Sequence, residues 1–139
     1  MTDRAARFLQ FSARLTGESP FVLRGTGMLD EYLAALDLRL PAGLLDELLA
    51  RDDEDATMDD PKLGPVARNI IIMWYTGSWT QLPDTWTAVY GTNDHGLAGV
   101  ISPTAYQAGL MWRVAGAHPA GAQQQGFGAW SLQPEGLSS

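Results

Sequence analysis

The stretch from Val66 to Trp79 (Val-Ala-Arg-Asn-Ile-Ile-Ile-Met-Trp-Tyr-Thr-Gly-Ser-Trp) constrains the fold of this chain more than any other. It holds a single charge, at Arg68, and its centre, Ile70 to Trp74, is an unbroken run of large apolar side chains. As a helix such a run presents apolar groups in every direction, so the segment is expected to be enclosed by protein on most sides. It is well short of the roughly 20 apolar residues a bilayer span requires. Three consecutive isoleucines favour β structure, yet the flanks favour helix. Asp60-Pro61 or Gly64-Pro65 supplies a start, with proline tolerated in the first turn, and Gly77 stands where a terminating glycine belongs. Those signals lie three to four helical turns apart, too far for an ordinary strand.

Other helices are announced around this one. Thr2 or Asp3 can cap a first helix to about Leu15, with Phe8, Phe11 and Leu15 at helical spacing and Gly17 as the stop. Glu18-Ser19-Pro20 reads as a turn and Phe21-Val22-Leu23 as a short apolar connector. Met28, Leu29, Tyr32, Leu36 and Leu40 form the stripe of a second helix, with Asp30 and Glu31 in its first turn and Pro41 as breaker. Leu44, Leu45, Leu48 and Leu49 make a short third. Ser102-Pro103 opens a last helix that carries Tyr106, Leu110, Trp112 and Val114 and stops at Gly116. Ser78 to Val100 reads as irregular loop with room for a short hairpin, and residues 116–139 as an extended Gly/Pro tail. The expectation is one mainly α domain over 1–139, of about five helices with a long aromatic-rich loop.

Charge and residue types narrow the chemistry. The net charge is −7, which argues against nucleic acid or an anionic membrane surface as partner. Much of it sits between Asp46 and Asp60, where eight acids face Arg51 alone, a pattern read as a solvated loop between helices. Asp52-Asp53-Glu54-Asp55 lacks the alternation, central glycine and terminal glutamate of a calcium loop. With no cysteine there is no disulfide, thiolate metal site or thiol nucleophile. His95 and His118 lack metal-ligand spacing, no serine stands in a G-x-S-x-G context, and Gly25-Thr26-Gly27 lacks the remainder of a phosphate loop. No catalytic residue, cofactor site or metal site is therefore assigned. Met1 to Arg7 has no basic segment leading into an apolar core, so no export signal of its own is expected. The sequence reads as cytoplasmic, or periplasmic only through co-export with a partner.

The five tryptophans are more informative. Trp74 and Trp112, on helices, are candidates for the core. Trp79, Trp86 and Trp130 lie in or beside segments read as irregular, and with Tyr90 and Phe127 they are expected to form a surface for a second protein. Tyr75 is expected to be a core residue whose hydroxyl finds one partner.

Taken together, three elements resemble one family. Phe11-Ser12-x-x-Leu15-Thr16-Gly17, Ile72-Met73-Trp74-Tyr75-Thr76-Gly77, and Tyr106 with Leu110-Met111-Trp112 occur in the order found in the small (gamma) subunit of bacterial membrane-bound FAD-dependent sugar and polyol dehydrogenases. The closing Gly126-x-Gly128-x-Trp130 before Pro134 resembles that family's Trp-containing tail. The resemblance implies a non-catalytic helical subunit that binds and matures a large flavoprotein of the glucose-methanol-choline type, with FAD held by that partner. The sequence departs from the family's pattern in two places: no twin-arginine leader is expected from Met1 to Arg7, and residues 1–139 hold no counterpart of the cysteine common near the family's C-terminus. A reading from another class is a stand-alone ligand-binding domain or small enzyme with a pocket lined by Trp74, Tyr75, Tyr106 and Trp112. A third is a self-assembling structural protein.

Overall fold

A computed structural model of the chain describes residues 2–91 and 98–116. The fold is mainly α, as expected. Helix α1 (Asp3–Thr16) begins where Thr2 Oγ1 accepts from Ala5 N–H and ends at Gly17, left-handed at φ 76°. Helices α3 (Leu29–Arg39), α4 (Leu44–Leu49) and α6 (Gly64–Thr76) occupy the expected stretches. The last expected helix is divided into α8 (Pro103–Ala108) and α9 (Leu110–Ala115), and Ser102 caps the first of them by accepting from Ala105 N–H.

Three further helices stand where irregular chain is expected. The supposed connector Phe21-Val22-Leu23 lies within α2 (Pro20–Gly25), whose first turn is set by Pro20 and capped by Ser19 Oγ accepting from Val22 N–H. Inside the acidic run, α5 (Glu54–Asp59) is capped by Asp53, and Glu54 and Asp55 fall in its first turn, where the helix dipole favours anions. The aromatic loop contains α7 (Asp84–Tyr90) and a minimal antiparallel sheet. In that sheet β1 (Ser78–Trp79) pairs with β2 (Gly99–Val100), Ser78 opposite Val100 and Trp79 opposite Gly99. Five helices is thus an undercount, because each of these three is only about two turns long and leaves almost no periodic signal.

Helices α1 and α6 organise the core. Helix α1 contacts α2, α3, α4 and α6, while α6 also touches α5, α8, α9 and β1. At the centre Trp74 is fully buried, stacked on Phe8 (centroids 6.1 Å apart) and met edge-on by Tyr32 at 4.8 Å. Ile70 and Met73 are buried with it, but Ile71 is only half-buried and Ile72 is 39% exposed. The expectation that α6 is covered on most sides therefore needs correcting: its neighbours leave the Ile72 edge open.

Two glycines set how closely the C-terminal helices approach α6. Gly77 ends α6 in the left-handed region (φ 72°), and a Cβ there would overlap the Ala105 carbonyl of α8. A Cβ on Gly109 would lie 2.6 Å from the Tyr75 carbonyl oxygen. Gly109 has extended backbone (φ −57°, ψ 132°), and there the expected single helix breaks into α8 and α9. The break lets the chain fold against the end of α6 where a continuous helix would carry it past.

Candidate functional site

The Trp-Tyr-Thr-Gly element places its residues in different environments. Trp74 belongs wholly to the core, with no surface left to line a pocket alongside Tyr106 and Trp112. Its Nε1, the Tyr32 hydroxyl and the Ser12 hydroxyl are buried without a hydrogen-bond partner among the described residues. Burial accordingly pushes the Tyr32 phenol well above its ordinary value. Tyr75, half-buried, donates its hydroxyl to Glu18 Oε2 at 3.3 Å. The other oxygen, Glu18 Oε1, accepts from Arg113 Nη1 at 3.0 Å. The Tyr75 phenol is raised by burial and further by the Glu18 carboxylate, with Arg113 partly opposing. One carboxylate in the α1–α2 turn thus ties α6 and α9 together, and it brings the end of α9 to the start of α2.

Tyr106 and Trp112 meet across the Gly109 break at 5.5 Å, nearly perpendicular, and Trp112 Nε1 donates to the Tyr106 carbonyl at 2.9 Å. Both rings are half-buried, whereas Leu110 is buried against the core. Phe21, on the first turn of α2 and three residues after Glu18, is 84% exposed. Aromatic and arginine side chains at a surface are the usual anchors of protein interfaces. Phe21, three residues from Glu18, the Glu18-bound Arg113, and the neighbouring pair Tyr106 and Trp112 are the candidate docking residues.

Trp79 and Trp86 do not belong to such a surface. They are 4% and 5% exposed and form part of the main hydrophobic core. Tyr90 is half-buried, 5.2 Å from the Trp86 ring, with Lys62 Nζ 5.8 Å above its own. The reason lies in the segment that carries them. Strand β1 holds Trp79, α7 folds back over the turn before α6, and Trp86 Nε1 donates to the Lys62 carbonyl at 2.8 Å. Between them Asn69 Nδ2 donates to the Thr80 carbonyl at 2.6 Å, fixing the connection against α6. Of the expected interface residues, Phe127 and Trp130 lie outside the described residues, as do His95 and His118.

Glu18 and Phe21, expected only in a turn and an apolar connector, are the functional candidates that local pattern does not single out. A usable signal was present: Ser19-Pro20 is the same cap-and-first-turn pair as Ser102-Pro103, and it marks α2 in the same way. As a helix start, it places Phe21 in the first turn of a very short helix. Among the described residues no group of three or more histidines, cysteines or acids could hold a metal ion. No helix among them is long and apolar enough to cross a membrane. No protein-family model, curated protein or solved structure matches the chain.

Proposed function

We propose that this chain is a non-catalytic accessory subunit. It would bind and stabilise a large FAD-dependent dehydrogenase of the glucose-methanol-choline type that acts on a sugar or alcohol. Support comes from the ordered Leu-Thr-Gly, Trp-Tyr-Thr-Gly and Leu-Met-Trp elements and from the surface those elements help to build. The observation that carries the reading is the exposed Phe21 ring, three residues along the chain from Glu18, whose carboxylate joins Tyr75 and Arg113. The docking face of this proposal is Phe21, Tyr106, Trp112 and Arg113, in place of Trp79, Trp86 and Tyr90. Flavin and hydride transfer belong to the partner, and this chain supplies binding surface.

Co-expression with a flavoprotein of that type, from the neighbouring reading frame, tests the proposal. The expected result is a co-eluting complex whose large subunit holds more FAD than when expressed alone. A flavoprotein that folds, loads FAD and elutes by itself in the presence of this chain would defeat it.

A further inference from the structure

Ala6, Arg7, Gln10 and Arg14 recur at helical spacing and lie along one outward stripe of α1. Together with Leu49 of α4 they line a cleft of about 200 Å³. The donors on its walls are unevenly committed. Arg14 is held in place: Nε binds the Glu54 carboxylate, Nη2 donates to the Arg51 carbonyl at 3.3 Å, and the guanidinium lies 5.7 Å over the Phe11 ring. Its Nη1 makes no hydrogen bond among the described residues. Arg7 has only the Asp3 carboxylate, at 3.6 Å and on a side chain 92% exposed, a separation too long for a hydrogen bond. The Gln10 amide has no partner among the described residues. Below them Leu49 is buried and Ala6 half-buried, giving an apolar floor.

We propose that this cleft binds a small organic carboxylate. Glu54 already neutralises Arg14, and Asp3, 3.6 Å from Arg7 on a side chain 92% exposed, is the acid an incoming carboxylate displaces, so with Asp3 turned away the site offers about one unit of positive charge. That favours a monoanion over a phosphate ester or dicarboxylate. The carboxylate accepts from Arg7 and from the Gln10 amide, with Arg14 Nη1 as a fixed third donor, and an apolar body rests on Leu49 and Ala6. The inference is independent of the docking face, which lies on other elements.

Titration of the ¹⁵N-labelled chain, followed at arginine Nε–H and the glutamine side-chain amide, tests it. Benzoate should shift the Arg7 and Gln10 signals saturably. Acetate, lacking the apolar body, and benzyl alcohol, lacking the charge, should each bind at least about tenfold more weakly. Arg7→Gln and Gln10→Ala alter exposed side chains and should leave the melting temperature unchanged while weakening benzoate, Arg7→Gln by about tenfold. Three results would each overturn the proposal. These are a non-saturating drift that sodium chloride reproduces, equal binding of benzoate by Arg7→Gln, and benzyl alcohol binding as tightly as benzoate.

Discussion

At the scale of single residues, two glycines with nearly the same backbone separate two costs. Gly17 and Gly77 both end helices in the left-handed region, at φ 76° and 72°. A Cβ on Gly17 meets open space, whereas one on Gly77 meets the Ala105 carbonyl. Gly17→Ala should therefore lose only the conformational term, about 1 kcal/mol in denaturant unfolding, and Gly77→Ala clearly more because α8 must shift. Equal losses would mean that α8 does not press on the end of α6. Trp86 gives a second test. If its indole fills the core of this chain, Trp86→Ala lowers the isolated protein's stability by about 3–5 kcal/mol, and the ring resists quenching by acrylamide. A stable variant would return Trp86 to the surface. Asp60 gives a test in acid. Its Oδ1 accepts from Leu63 N–H and Lys62 N–H, and Oδ2 from Arg51, so its pKa lies below the ordinary 3.8. A depressed carboxylate contributes stability that is present above its unfolded pKa and disappears as pH falls through the folded one. Asp60→Asn should lower the melting temperature at pH 7 and make little difference near pH 2. Tyr75 has the opposite sign: its pKa is raised, so its contribution is complete below about pH 10 and is lost on further alkalinisation.

At the scale of elements, the break at Gly109 decides how α8 and α9 approach α6. Gly109→Ala retains a compatible backbone, yet its Cβ would press on the Tyr75 carbonyl, so the variant should melt lower, and the Tyr106–Trp112 near-ultraviolet circular dichroism should change. An unchanged spectrum would show that the two short helices are not set by that contact. The longer helices were legible in the sequence through several turns of periodic apolar residues, with punctuation of differing kinds: α1 between its Thr2 cap and Gly17, α3 with Tyr32 and Leu36 before Pro41, and α6 with its Gly77 stop. Illegible were α2, α5 and α7, where six or seven residues hold too few repeats to show a period; α2 and α5 have only their Ser19 and Asp53 caps as a signal and α7 has no side-chain cap, whereas the equally short α4 is marked by its four leucines. The burial of Trp79 and Trp86 was illegible for a different reason. It depends on pairing between residues about twenty apart and on Trp86 reaching the carbonyl of Lys62, contacts that no local spacing encodes. The density of tryptophan in that segment signalled importance correctly, but local pattern could not say to which body the rings belong.

At the scale of the whole molecule, the acidic surface is organised by a few cations. Arg4 binds both oxygens of Asp37 on α3, at 2.7 and 2.6 Å, and Asp46 on α4 at 3.0 Å, joining α1 to two neighbours. A two-pronged network of this kind should be worth about 1 kcal/mol, so Arg4→Met should lose that amount at low salt and less at high salt. The remaining question at this scale is which surface meets a partner. With Trp79 and Trp86 enclosed, the interface proposed here rests on Phe21, on Tyr106 of α8 and Trp112 of α9, and on Arg113. The most direct measurement is the affinity of the purified flavoprotein subunit for the native chain and for Phe21→Ser, with unfolding curves of both forms alongside. The account predicts at least a thirtyfold weaker complex, about 2 kcal/mol, with the variant's own stability unchanged within about 0.5 kcal/mol. Equal affinity of the two forms for the flavoprotein would contradict it.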